Sequence, residues 1–259
     1  MLRSGGASVL VIAYYTVREA MRNRILWIAL IFAVMGVGLA AFIGDVAVVE
    51  HRIVEVSLLA ASYRFCAALS LMVLVISTLV REFNDKCLEL YLSTTVSRFM
   101  YFAGKLGGFF AIGALLAAVF GGVLLLYAEP VPAAFWAASL ACELAIVAAV
   151  GVFCVMSFNQ QIPASFAAAL VFYLMCRAAD GIVLISKSEI ILHTFGAAAM
   201  QTIIEALVFI LPSLGRFART EWLAYGGGDY NFAAIGAQTV IYVALIGAAT
   251  MVDFSRKNL

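Results

Sequence analysis

The residues best able to do chemistry in this chain are ionisable side chains placed within long apolar stretches. Glu143 lies inside one such stretch, Arg177 and Asp180 lie three residues apart in another, and Glu205 lies in a region that ends at Pro212. An ionisable group in the bilayer core costs at least ~2.5–3.5 kcal/mol on insertion scales, so it usually faces the interior of a helix bundle. Either Arg177 and Asp180 form an internal salt bridge and Glu143 is protonated or hydrogen-bonded at a subunit contact, or all four residues line a substrate path.

Other kinds of chemistry find little support in the sequence. The two histidines, His51 and His193, are too few for a metal channel, and no MxxM, HExxH, Ser-His or GxxxxGK[ST] pattern occurs. A net charge of +1 gives no case for nucleic-acid binding. We therefore expect a non-catalytic chain that binds no metal or cofactor. The cysteines lack CxxC spacing, and we interpret them as small buried or lipid-facing residues: Cys66, Cys87, Cys142, Cys154 and Cys176.

Long apolar runs must position these charges. The chain has 259 residues, of which 65% are hydrophobic and 12% charged, whereas soluble domains have about 45–50% and about 25%. A membrane-spanning helix needs ~20 mostly apolar residues. The sequence therefore predicts an all-α integral membrane protein with a single domain, residues 1–259. Its six predicted spans are residues 25–44, 63–80, 102–127, 133–158, 163–185 and 231–252.

The distribution of basic residues predicts the orientation of the spans. With six spans and both termini inside, ten of the 16 lysines and arginines lie on the inner side. Residues 190–212 are ambiguous, because they could span or dip into the membrane and return. A seventh span would place the basic C-terminal sequence "FSRKNL" outside, so we predict a re-entrant hairpin between spans five and six.

The N-terminal segment does not resemble a signal peptide, since "ASVLVIAYYTV" is followed at once by "REAMRNR" without a small-residue cleavage site. As a helix, residues 7–24 carry Leu10 and Met21 on an apolar stripe and Arg18 and Arg22 on another face. This pattern predicts an interfacial helix along the inner leaflet, with its arginines toward the lipid head groups. The alternative is a ragged start of the first span.

A charged segment, "REFNDKCLELYLSTTVSRFMYFAGK", separates the second and third spans at residues 81–105. Phe83, Cys87 and Tyr91 repeat at helical spacing, and the polar "STT" then precedes Ser97, which can cap the next helix. We predict a short amphipathic helix at residues 81–92. It is either a solvated loop that satisfies the positive-inside rule or a docking helix for a cytoplasmic partner.

This segment resembles the coupling-helix signature of ABC-2 type permeases, the membrane subunits of ABC exporters with the type V fold. Those permeases have an acidic residue after the second span, a leucine-rich helix, a turn similar to "sPvSR" and an aromatic run into "GK". Thr95 stands where the family often has Pro, and the tail "VDFSRKNL" is similar to the aromatic-basic tail of many members. The chain most resembles the multicopper-enzyme-maturation permeases. The matching residues are Glu82, Leu88, Glu89, Leu90, Thr95, Val96, Ser97, Arg98, Tyr101, Gly104 and Lys105.

The resemblance implies an N-terminal interfacial elbow helix, six transmembrane helices, a cytoplasmic coupling helix between spans two and three, and a re-entrant hairpin that roofs the substrate path. It also implies a subunit through which separate ABC ATPase chains, which bind the ATP, drive export across a bacterial or archaeal inner membrane, with both termini cytoplasmic. The residues expected to couple to the ATPase are Arg81, Glu82, Phe83, Lys86, Leu88, Glu89, Tyr91 and Arg98.

Further expected partners are membrane lipid, a second permease copy and, in some assemblies, a periplasmic accessory protein. Small residues such as Gly36 and Gly38 would permit close approach of two copies. The alternative hypothesis is a stand-alone membrane protein without an ATPase: a secondary carrier, a membrane enzyme or a scaffold. A carrier should show an inverted repeat with broken helices, which the sequence does not display.

Overall fold

The structure is a computed structural model that describes residues 2–46, 51–85, 97–158, 161–186, 211–212, 214–217, 223 and 232–256. Within these residues all regular secondary structure is helical. A 3₁₀ turn spans Leu214–Arg216. The α-helices in the described part of the chain are α1 (Leu2–Met21), α2 (Arg24–Val46), α3 (His51–Asn84), α4 (Arg98–Leu124), α5 (Pro130–Ser157), α6 (Ile162–Ser186) and α7 (Phe232–Arg256).

Five of these helices, α3 to α7, are long and apolar enough to cross a membrane by length and composition. Helices α1 and α2 together make a sixth crossing if they are taken as one broken span, which is bent by 59° between Met21 and Arg24. The prediction of an all-helical, multi-pass membrane protein is thereby confirmed for the described part of the chain.

Helix α5 forms the centre of the bundle and packs against α3, α4, α6 and α7. Its large side chains Trp136, Leu140 and Leu144 are completely buried. By contrast, α2 and α7 expose large apolar side chains on the surface of the bundle. Contact of these side chains with water would be unfavourable, so a lipid or protein environment is expected to cover them. These exposed side chains include Leu30, Ile31, Val34 and Met35 on α2 and Val240, Ile241 and Leu245 on α7.

Helix α3 is much longer than the span that its apolar run predicts. It has 34 residues, or about 51 Å, against the ~30 Å of a bilayer core. It starts at His51, ahead of the predicted residues 63–80, because the charged side chains of Arg52 and Glu55 lower the apolar signal without breaking the helix. At the other end it continues through Arg81 to Asn84, so a separate coupling helix cannot begin at Arg81 as predicted.

Helix α1 runs alongside α4, with which it makes close contact. A Cβ atom on Gly104 would lie 2.8 Å from Ile12 Cβ, and one on Gly108 would lie 2.6 Å from Thr16 Cβ. Only glycine permits this approach, and the matched spacing of the two contacts shows that the helices run in the same direction. The predicted placement of residues 7–24 along the membrane plane stays a prediction, and the helix itself ends at Met21.

Local sequence explains where several helices begin. The side chain of Asn23 accepts a hydrogen bond from the Ile25 amide at 3.2 Å, which caps α2 directly after the bend. Ser97 is the N-cap of α4 and its hydroxyl accepts from the Met100 amide at 3.3 Å, as the sequence predicted. Helix α5 begins with Pro130, whose missing N–H is not needed in a first turn.

Two predicted elements fall largely outside the described residues. Of the predicted coupling helix, residues 86–92 lie outside, and of the predicted re-entrant hairpin only Leu211 and Pro212 lie inside. Immediately after the hairpin region, Leu214 and Phe217 are buried in the bundle core, and their 3₁₀ turn packs against α6. A non-helical backbone inside a membrane bundle is tolerated only where protein buries it, as here.

Candidate functional site

The centre of the bundle holds a buried ion pair between α3 and α5. Arg64 Nη1 donates to Glu143 Oε2 at 2.6 Å, and both side chains are completely inaccessible to solvent. At ~1.5 Å per residue, Arg64 lies about 18 Å along α3 from Arg52 and about 26 Å from Arg81, deep within the helix. Because each charge would be very costly here alone, the pair is held by mutual neutralisation.

A second arginine and a tyrosine reach the same carboxylate from α6. Tyr173 Oη donates to Glu143 Oε1 at 3.0 Å, and Arg177 Nη1 lies 3.5 Å from the same oxygen. The sequence offered Asp180 as a partner for Arg177, and its side chain lies outside the described residues, so that pairing stays a prediction. In the described part of the chain Arg177 lies against Glu143. Glu143 thus connects three helices, and its predicted place at a subunit contact stays a prediction.

Ser139 extends this cluster to the 3₁₀ turn. Arg64 Nη2 donates to Ser139 Oγ at 2.6 Å, and Oγ lies 2.9 Å from the Trp136 carbonyl and 3.1 Å from the Phe217 carbonyl. A hydroxyl has one proton, so it can serve only one of these carbonyls at a time. The contact with Phe217 joins the segment after the predicted hairpin to the buried charges.

The indole of Trp136 covers the arginine. Arg64 Cζ lies 5.0 Å from the centroid of the Trp136 ring, within the range of a cation–π interaction. Arg64 Nε and Trp136 Nε1 are buried without a hydrogen-bond partner. Each such donor costs stability, so the cluster is held by its charges rather than by complete hydrogen bonding. We name Arg64, Ser139, Glu143, Tyr173 and Arg177 the central charge cluster.

The central charge cluster joins α3, α5 and α6 through charged and hydrogen-bonded contacts. Among the described residues no group of three or more His, Cys, Asp or Glu side chains could hold a metal ion. Its one carboxylate is held between two guanidinium groups, so it is a poor general base, and Ser139 contacts no such base. Of its members only Arg177 has a partly accessible side chain, at 28%, and would be the group within reach of a solute.

A second polar network lies where α1, α3 and α4 meet, at the end of the bundle that the basic residues predict to be the inner one. Glu82 accepts a hydrogen bond from Tyr101 Oη at 2.6 Å and forms an ion pair with Lys105. Glu19 of α1 pairs with Arg81 and lies 3.9 Å from Lys105 Nζ. We name these five residues the inner-end network.

The inner-end network explains several positions of the charged motif. Glu82 and Lys105 belong to α3 and α4, so their ion pair clamps the helices on either side of residues 86–96. Gly104 precedes Lys105 because α1 packs against the backbone at that point. The "GK" pair of the motif therefore combines a close helix contact with a cross-helix ion pair, which gives this part of the motif a structural role.

The remaining predicted site residues divide into three groups. Arg81 is exposed at 58% of its side chain, and Arg98 is the first residue of α4. Phe83 packs against the hydrophobic core, so it is not available as a docking anchor in this structure. Four predicted coupling residues and one predicted path residue lie outside the described part of the chain: Lys86, Leu88, Glu89, Tyr91 and Glu205.

The sequence did not single out four members of the two clusters: Arg64, Ser139, Tyr173 and Glu19. An arginine within a helix-forming apolar run signals a buried partner, so Arg64 could have been found. The other three carry no local signal, because their charged partners lie on other helices.

Comparison with protein-family models and with curated proteins finds no match for this chain. The class of protein therefore rests on the fold and the two clusters. The chain is a multi-pass helical membrane protein whose described part holds a buried charge cluster in its centre and a polar network where α1, α3 and α4 meet.

Proposed function

We propose that this chain is the membrane-spanning permease subunit of an ATP-driven ABC exporter of the ABC-2 type. In this proposal a separate ATPase subunit binds ATP and docks on the segment between α3 and α4, which contains most of the coupling helix predicted at residues 81–92. Two permease copies enclose the substrate path in a bacterial or archaeal inner membrane, with both termini in the cytoplasm and the region around residues 190–212 re-entrant from the outside.

The observation that carries the proposal is the clamp at the base of residues 86–96. Glu82 lies just before this segment and is joined to Tyr101 and Lys105 just after it, by one hydrogen bond and one ion pair. A loop that served only to connect two spans would not need such a clamp. A docking element does, because a push on it must move α3 and α4 instead of deforming the connection.

The rest of the bundle supplies a route for that movement. Helix α3 carries both Glu82 at its inner end and Arg64 in its interior, and Arg64 is bonded to α5 through Glu143. A displacement of α3 would therefore load the central charge cluster, which also connects to α6 through Tyr173 and Arg177. This continuity supports coupling between an inner docking site and the bundle interior.

The first test is biochemical isolation of the complex. The full-length chain, purified from its native membrane in mild detergent, should retain an ATPase subunit that carries a GxxxxGK[ST] sequence, and the complex should hydrolyse ATP. Leu88→Asp and Tyr91→Asp should remove the ATPase while leaving the membrane protein folded, because the docking helix loses its apolar anchors. Phe83→Asp is unsuitable, since Phe83 packs on the core.

A second test separates coupling from docking. Glu82→Gln removes the charge that holds Lys105. The ATPase should still co-purify with this variant. However, stimulation of ATP turnover by transported substrate, or by the permease itself, should fall. Asp85→Asn, three residues later in the turn after α3, is the matched control. A purified chain without any ATPase, together with a neighbouring reading frame that lacks Walker motifs, would overturn the proposal.

The central charge cluster also favours a second candidate, a secondary carrier. Carriers place ionisable side chains in the bundle interior to bind coupling ions or protons, and Glu143 lies in such a place. The two candidates differ in energy source. Transport by the chain alone in proteoliposomes, driven by an ion gradient without ATP, would favour the carrier.

A further inference from the structure

The bend between α1 and α2 carries a basic cleft. Its volume is about 880 Å³, and it is lined by four arginines and one carboxylate, together with Tyr15 and Asn23. The charged lining residues are Arg18, Glu19, Arg22, Arg24 and Arg81. Their formal charge is +3, so the cleft attracts an anion.

Three of these arginines are available. Glu19 is paired with Arg81, whereas Arg18, Arg22 and Arg24 are exposed and form no ion pair with any residue that the structure describes. Three guanidinium groups around one cleft offer many N–H donors in planar arrangements, which suit the oxygens of a phosphate group.

An apolar groove of about 210 Å³ begins beside the same bend. It lies between α2 and α4, and Met21 at its edge directly precedes Arg22 of the basic cleft. Its lining is almost wholly hydrocarbon: Met21, Leu26, Trp27, Ala29, Leu30, Leu115, Leu116, Val119 and Phe120. A cation-rich cleft next to an apolar groove matches an amphiphile with an anionic head and an acyl chain.

The position of the bend fits the membrane interface. Helix α2 starts at Arg24 and has 23 residues, about 34 Å, which covers the ~30 Å hydrocarbon core. With α2 alone as the crossing, Arg22 and Arg24 would lie at the level of the lipid head groups, and Trp27 and Leu30 at the depth of the acyl chains. An acidic protein surface would satisfy the arginines but would leave the apolar groove empty.

We infer that this bend is a binding site for one anionic glycerophospholipid, with its phosphate among Arg18, Arg22 and Arg24 and an acyl chain in the groove between α2 and α4. A bound lipid would hold α1 at its angle to α2 and thus set the place of Glu19 in the inner-end network. The site belongs to the isolated chain and does not depend on an ATPase.

Native mass spectrometry of the full-length chain in detergent tests the site. We titrate dioleoyl phosphatidylglycerol against dioleoyl phosphatidylcholine and expect the anionic lipid to bind about tenfold or more tightly, since each basic side chain near the surface contributes about fivefold. The double variant Arg22→Gln/Arg24→Gln should lose this preference. Arg52→Gln, an exposed arginine at the opposite end of α3, is the control and should keep it.

A separate variant tests the apolar groove between α2 and α4. Val119→Phe fills the groove and should weaken binding of both lipids several-fold, whereas Val240→Phe, the same change on the exposed face of α7, should not. Inorganic phosphate at the same concentration should not displace phosphatidylglycerol. Equal binding of the two lipids, unchanged preference in the double arginine variant, or displacement by phosphate would each overturn the lipid site. If the double arginine variant lost ATPase binding but bound both lipids as the wild type does, the lipid site would also be overturned. The basic cleft would then belong to a protein partner.

Discussion

At the scale of single residues, Glu143 determines the chemistry of the bundle interior. Its carboxylate receives Arg64, Tyr173 and Arg177 from two other helices, so one side chain specifies how α3, α5 and α6 meet. Apolar side chains pack against one another with little directional preference, whereas a hydrogen-bonded ion pair requires a defined geometry. The cluster thus contributes specificity of helix arrangement more than net stability.

Glu143→Gln should strongly destabilise the protein. The substitution keeps the shape but leaves the completely buried Arg64 without a counter-charge, so the free energy of unfolding should fall by about 3–5 kcal/mol. Thermal or denaturant unfolding of the purified protein in detergent measures this. Glu129→Gln, the same change at the exposed start of α5, should shift stability by less than ~0.5 kcal/mol.

The double variant Arg64→Met/Glu143→Leu separates specificity from stability. Because both charges are removed together, it should be more stable than Glu143→Gln alone. A double variant that unfolds as readily as the single one would show that the pair stabilises the bundle by itself and that our interpretation of the cluster is mistaken.

At the scale of helices, sequence and structure agree where apolar runs are long and uninterrupted. The runs predicted at residues 133–158 and 231–252 correspond to helices Pro130–Ser157 and Phe232–Arg256, because no charged side chain other than Glu143 interrupts the first of them. Helix α3 starts ahead of its predicted run because Arg52 and Glu55 lower the apolar signal without breaking the helix. Arg64 lies within the predicted run, but its partner is 79 positions away and no local window contains it.

The two clusters also differ in how far their members could be predicted from the sequence. Four members of the inner-end network lie within the charged motif, so they could be named from the sequence although their contacts, and the fifth member Glu19, could not: Arg81, Glu82, Tyr101 and Lys105. The central charge cluster combines Arg64, Glu143 and Tyr173 from distant parts of the chain, and only the packing of α3 and α6 on α5 brings them together.

Gly108→Ala should loosen α1 from α4. The added methyl group would lie 2.6 Å from Thr16 Cβ, so the two helices must separate, at a cost of about 1–3 kcal/mol. Gly107→Ala is an adjacent control, because a Cβ there meets nothing within 4 Å and alanine favours a helix by about 0.5–1 kcal/mol over glycine. Thermal unfolding should therefore move in opposite directions for the two variants. Equal shifts would contradict the close packing of α1 on α4.

At the scale of the whole molecule, the proposed function requires a defined topology. We expect residues 81–105 in the cytoplasm and the region before α7 outside, because the basic residues cluster on the inner side. In a variant in which serine replaces Cys87, a cysteine substituted for Lys86 should not react with a membrane-impermeant maleimide in intact cells. A cysteine substituted for Gly227 should react. Labelling of position 86 from outside would exclude six spans with an inner N-terminus.

The proposed function also requires a second copy, since six spans are too few to enclose a path and alternate its access. The sequence indicated Gly36 and Gly38 as points of close contact between copies, but Gly36 faces Tyr63 within the chain, where a Cβ would lie 2.4 Å from Tyr63 Cε1. Gly38 has nothing within 4 Å and lies on the exposed apolar face of α2, so it remains the better marker of a two-fold contact.

Gly38→Leu should therefore weaken dimerisation by about tenfold, equivalent to ~1.4 kcal/mol, because the added side chain keeps the two backbones apart. Gly122→Leu on α4 is matched, since that glycine is also exposed with open space around it, and it should leave dimerisation unchanged. Native mass measurements of the detergent-purified complex, taken over a range of protein concentrations, give the dissociation constant of each variant. A wild-type particle with one permease chain for each pair of ATPase subunits would rule out the two-fold arrangement, because no second copy would then be present to complete the path.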